Sequence, residues 1–132
     1  MIIRNAYTEL AMDLVIKGKK QEAGKFLYRA DKMMPAENFP YGMISSGNMH
    51  NRNSLAFLEA CYRADAKELA DKVGKAVKTD LQQQVKFYDS LTGNKAAAMA
   101  AEKKMSEDLL AVMDKMEDMF SNYQENERSI ND

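Results

Sequence analysis

The stretch from Tyr7 to Pro35 constrains the fold more than any other part of this chain. Tyr7, Leu10, Ala11 and Leu14 recur at helical spacing, a break follows at Lys17-Gly18-Lys19, and Ala23, Leu27 and Ala30 resume the pattern until Pro35. Apolar residues at i, i+3, i+4 and i+7 mark a helix with one buried stripe. Gly18 supplies the turn with a residue that tolerates positive φ, and Pro35 cannot continue the second helix. Two short helices that cannot each bury a face alone fold against one another. The spacing predicts a helical hairpin. Ala11, Ala23 and Ala30 let the two backbones approach closely.

A second hairpin follows after a gap. From Pro35 to Asn48 the chain loses its periodicity and gathers turn residues, yet carries Phe39, Tyr41, Met43 and Ile44. That apolar content predicts a loop, residues 36–50, packed on the body of the domain. Its restriction by Pro35 and Pro40 favours a closing role over a surface offered to a partner. Leu55, Leu58, Cys61 and Tyr62 then form a helical stripe, Ala64-Asp65-Ala66 occupies a turn, and Ala70, Val73 and Val77 begin the next helix. Aligning Asp65 with Gly18 places Ala70 on Ala23 and Val77 on Ala30, with Gly74 replacing Leu27, so the chain contains a degenerate internal repeat. The second helix of this unit is predicted from about Lys67 to Leu91, stopped by Thr92-Gly93-Asn94. A last helix is expected over 95–123, antiparallel to its predecessor. Its seam runs through Met105, Leu109, Val112, Met116, Met119 and Tyr123, thickened by Leu110, Met113 and Phe120. The tail, 124–132, is polar and expected to fray. The whole, 1–132, reads as one domain with a first repeat over 4–37 and a second over 51–92.

Several functions are disfavoured by what the chain carries. Nineteen basic residues against twenty acidic ones give a net charge of -1, with no push toward nucleic acid. There is no run of 18 or more apolar residues, so no membrane span is expected. The single cysteine, Cys61, cannot form an internal disulfide, and on the inward stripe it should be an inert thiol. His50, the only histidine, has neither H-E-x-x-H nor C-x-x-C spacing around it, and a neutral or structural role is expected. No catalytic, metal or cofactor residue is predicted. Glu107, Asp108, Asp114, Glu117 and Asp118 read as a solvated helix face. Lys17, Lys19, Lys20, Lys25, Arg29 and Lys32 make the first hairpin basic, through helix-end complementarity or as a face toward anionic lipid. Met33, Met34, Met43 and Met49 gather around the loop as flexible core filler, with an adaptable binding surface as the alternative. The candidate interaction surface is Phe39, Tyr41, Met43, Ile44 and Met49.

The first hairpin resembles the tetratricopeptide repeat, W-x2-L-G-x2-Y…A-x3-F…P over roughly 34 residues. Tyr7, Leu10, Ala11 and Leu14 fall on first-helix positions, with Tyr and Leu replacing Trp and Tyr, and Gly18, Ala23, Leu27, Ala30 and Pro35 complete the pattern. The fold class predicted is therefore all-α: two tetratricopeptide-like hairpins plus a long C-terminal helix. Arg4-Asn5, Leu10-Ala11, Gly18-Lys19-Lys20, Pro35-x-Glu37-Asn38-x-Pro40-Tyr41 and Ala60-Cys61-Tyr62-Arg63-Ala64 together resemble a more particular family. It comprises large bacterial multi-spanning membrane proteins of unknown function, whose membrane part is similar to protein O-mannosyltransferases. The resemblance covers residues 4 to 92. It departs from the family at Ala64, where glycine is usual, and leaves the last helix unmatched. It implies a soluble C-terminal appendage tethered to the inner membrane in the cell envelope, with glycosyl transfer confined to a membrane part. Two function classes follow: a non-catalytic interaction or scaffolding module that binds a protein partner or its own membrane part, and a small helical hydrolase or transferase with an unrecognised carboxylate site.

Overall fold

The structure, a computed structural model, describes the backbone of residues 2–131 and the side chains of residues 3–122. Among the described residues six α-helices follow one another: α1 (Ile2–Ile16), α2 (Lys20–Met33), α3 (Met49–Arg63), α4 (Lys67–Asp89), α5 (Gly93–Ala98) and α6 (Ala100–Asn131). A 3-10 turn at Ser46–Asn48 leads into α3, and among the described residues there is no strand. The all-α expectation holds.

The two hairpins are built on one turn used twice. In the first, the Gly18 amide donates to the Val15 carbonyl at 3.0 Å and the Lys19 amide to Leu14 at 2.8 Å. In the second, Asp65 donates to Tyr62 at 3.1 Å and Ala66 to Cys61 at 2.9 Å. This pair of bonds is the Schellman closure, and it requires a left-handed residue at its corner. Gly18 takes φ +78° at no cost, and Asp65 takes 56°, a conformation that aspartate tolerates better than most side chains. Ile16 and Arg63 end the leading helices and Lys20 and Lys67 start the returning ones, so the constant spacing of the internal repeat extends to the helix boundaries.

Packing follows from the small residues. Ala11, Ala23, Leu27 and Ala30 are buried in the first hairpin, as are Leu58, Cys61, Ala70, Val73 and Val77 in the second. The two hairpins join chiefly through α1 and α3. Gly24 lets the α2 backbone come within 3.5 Å, at an added Cβ, of the Ala64 carbonyl.

Two boundaries move from their predicted places. The long helix ends at Asp89, earlier than Leu91, and Gly93 opens α5 instead of merely stopping α4. The expected 95–123 helix is divided at Met99, whose φ of -103° and ψ of 9° bend the chain between α5 and α6. The helical backbone of α6 then runs on to Asn131, through the tail expected to fray; Tyr123 and the side chains after it lie outside the described residues. Lys103 pairs with Asp89 at 2.6 Å and Lys78 with Asp114 at 3.8 Å, which sets α6 antiparallel to α4.

The buried face of α6 also differs from the predicted seam. Val112 and Met119 are 46% and 51% exposed, whereas Ser106 and Met113 are buried. The contact line runs through Ser106, Leu109, Leu110, Met113 and Met116, so Leu109 and Met116 of the predicted seam stay inward while Val112 and Met119 give way to Ser106 and Met113. The reason is polar. Ser106 Oγ accepts from Asn48 Nδ2 and lies 3.1 Å from Gln84 Oε1, while Asn51 Nδ2 and Gln84 Nε2 both donate to Asp80. A buried amide network satisfied in this way fixes the rotation of the helix that completes it.

Candidate interaction surface

Between the hairpins the chain from Met34 to Asn48 forms a loop whose backbone is held by side chains from α1 and α3. Buried, its carbonyls would otherwise lack partners. The Phe39 carbonyl accepts from Arg4 Nη2 at 2.6 Å and the Pro40 carbonyl from Arg4 Nη1 at 3.3 Å. Pro40 also accepts from His50 Nε2 at 2.7 Å, which places the imidazole proton on that nitrogen. Ser54 Oγ donates to the Tyr41 carbonyl at 2.6 Å, and the Met43 amide donates to Asn51 Oδ1 at 3.1 Å. Between Tyr41 and Met43, Gly42 lies against α4: a Cβ there would meet the Ala76 carbonyl oxygen at 2.5 Å. Only glycine fits that approach.

Tyr41 is the anchor. Its ring is buried, 5.5 Å from Phe57, with the Arg4 guanidinium stacked 4.1 Å above its centroid. Its hydroxyl donates to Asp31 at 2.7 Å, and Asp31 also takes the Lys72 ammonium at 2.9 Å. Burial first, then the bond to Asp31, holds the Tyr41 phenol well above the usual tyrosine range. Burial lowers the Arg4 guanidinium from its usual value, opposed by Tyr41 and Asp31. Tyr41 thus closes the space between hairpins and leaves the candidate surface.

Its neighbours do the opposite. Ile44 is 66% exposed, Met49 53%, Met43 43% and Phe39 37%, so the expectation that Phe39, Met43 and Ile44 are fixed inward fails. Of Phe39, Tyr41, Met43 and Ile44, Tyr41 alone is buried. Of the four methionines read as core filler only Met34 is buried; Met33 stands out at 61%.

The remaining predicted candidates sort as follows. Cys61 is buried, and desolvation, with the Asp31 charge second, pushes its thiol up. Of the acidic residues read as a solvated face of α6, Glu107, Asp108, Asp114 and Asp118 are exposed and Glu117 is half-buried. Among the described residues no three His, Cys, Asp or Glu side chains gather as a metal site would require, and no helix is long and apolar enough to cross a membrane.

The sequence reading missed a pair of clefts flanking Tyr62 and Phe120, whose rings stack at 4.9 Å and 5°. The larger, about 480 Å³, lies between α4 and α6 over Ala70 and Gly74; the smaller, about 240 Å³, lies toward Val15 and Met119. Lys67, Asp71, Lys75 and Lys78 of α4 and Glu117 of α6 line the larger one, three positive charges against two negative. The signal available was the aromatic pair itself, separated by nearly half the chain. No protein family, curated protein or solved structure matches the chain.

Proposed function

We propose that this chain is a non-catalytic helical-repeat interaction and scaffolding module whose recognition surface is the crest of the loop: Phe39, Met43, Ile44 and Met49. One observation carries the reading. These exposed apolar side chains stand on backbone already held by Arg4, His50, Asn51 and Ser54, so a partner need not order the loop on binding. Exposed apolar residues on a fixed scaffold mark contact surfaces. The buried polar side chains of the core serve to hold this loop and α6. The sequence resemblance supplies the setting: a soluble domain of the bacterial envelope beside a glycosyltransferase-like membrane part, with its own membrane part or another protein as the partner and any glycosyl transfer belonging to that membrane part.

The test is photocrosslinking from position 44 in cells that make the protein. Adducts with an envelope protein, lost on Met43→Asp while the melting curve is unchanged, support the proposal. No adduct, or the same adducts from exposed Glu107 on α6, overturns it.

A further inference from the structure

The methionines divide by exposure. Among the described residues Met33, Met43, Met49 and Met119 are exposed, Met34 and Met113 are buried, and the others are half-buried. Two of the four exposed thioethers stand on the loop crest, one on either side of the Ser46–Asn48 turn. The bond from the Met43 amide to Asn51 Oδ1 holds Met43 beside the first turn of α3, the turn that Met49 opens. Neither sulfur carries the fold of the loop. The side chains that hold its backbone belong to Arg4, His50, Asn51 and Ser54, and its buried anchor is Tyr41. A chemical change confined to the two sulfur atoms therefore alters the surface and leaves its support in place. Met33 and Met119 lie elsewhere, at the end of α2 and in the cleft beside Phe120. The one thiol, Cys61, is buried and offers no competing target.

We infer that Met43 and Met49 are modification sites, and that their oxidation to sulfoxides by a peroxide switches off the interaction surface. This rests on the reading of the loop crest as that surface. The thioether lone pair attacks one peroxide oxygen, and an S–O bond forms as the O–O bond breaks. Sulfur gives up two electrons, and the displaced hydroxide takes the proton left on the transferred oxygen and departs as water. Each sulfoxide then puts a polar oxygen where the crest had an apolar, polarisable chain. A partner seated on the oxidised crest buries two such oxygens with no donor placed to meet them, and that cost exceeds the apolar contact it replaces. Sulfoxide reductases return the thioether, so the change is reversible. Occupancy acts in the other direction: a seated partner covers both sulfurs, so binding and oxidation compete for the same two atoms.

Treatment of the whole purified chain with hydrogen peroxide, followed by peptide mapping, tests the chemistry. Sulfoxide is expected at Met43 and Met49 and not at Met34 or Met113, with the melting curve unchanged. The photocrosslinker at position 44 tests the consequence, the protein being added to cell membranes before oxidation, after it, and after a sulfoxide reductase. Oxidation should lower the adduct yield by about tenfold or more, and the reductase should restore it. Met43→Leu combined with Met49→Leu keeps the crest apolar with no sulfur to oxidise. Its adduct should survive peroxide although Met33 and Met119 are still oxidised. Thioethers left intact at Met43 and Met49 while Met33 reacts overturn the inference, as does an oxidised chain that unfolds. So does an adduct lost equally from the double leucine variant. An adduct indifferent to oxidation sinks this inference alone, whereas no adduct from the untreated protein sinks the loop reading and this inference with it.

Discussion

Arg4 shows how one side chain serves two accounts at once. Its guanidinium donates to the carbonyls of Phe39 and Pro40 and stacks on Tyr41, and one atom of it, Nε, is buried with no hydrogen-bond partner. That arrangement is worth its desolvation only while the loop is in place, so Arg4 and Tyr41 are energetically coupled. Tyr41→Ala should cost about 3–5 kcal/mol, as for other buried aromatics. Arg4→Met, which leaves the Phe39 carbonyl short of a donor while Pro40 keeps His50, should cost about 1–3 kcal/mol. Because the two touch, the double variant should cost less than both together, by about 0.5–3 kcal/mol. Urea denaturation of the four proteins measures this, and strict additivity would show that the stacked geometry contributes nothing. The burial of Tyr41 was legible from the apolar loop and its two prolines. That of Arg4 was not, because a charged residue near a chain's start reads as solvated until its acceptors, 35 and 36 positions on, are known.

Among the elements, α6 separates pattern from packing. Its strongest apolar heptad includes Val112 and Met119, yet the helix turns Ser106 and Met113 inward. A hydrophobic count gives Ser106 no weight. The amides of Asn48 and Gln84 do give it weight, since an unmet buried donor costs more than a half-exposed valine gains. Met113→Ala should therefore destabilise by about 2–4 kcal/mol, while Val112→Ala stays within about 0.5 kcal/mol. Thermal melts of the two neighbours decide it, and the reverse order would restore the apolar seam. The hairpin turns were legible for the opposite reason. Gly18 and Asp65 belong to the small set of residues that accept a left-handed corner, and that local chemistry needs no knowledge of distant partners.

For the whole molecule, the buried titratable groups set an alkaline limit. The ordinary values for the Cys61 thiol and the Tyr41 phenol are 9.0 and 10.0, and burial raises both in the folded chain. Below those values both states hold these two protons, and neither group contributes to the dependence of stability on pH. Above them the unfolded chain releases protons that the folded one keeps, so stability falls as pH rises from about 9. The urea midpoint should drop across that range, with a shallower decline in Cys61→Ala; a flat profile would contradict the burial. The same thiol has a practical consequence. It is the only cysteine, it lies at zero exposure between the hairpins, and a thiolate is what a labelling reagent needs. A reagent can reach it only when α3 parts from its neighbours. On the purified protein, the pace at which such a reagent is consumed is therefore a built-in gauge of how often the array opens, with no residue added to the chain.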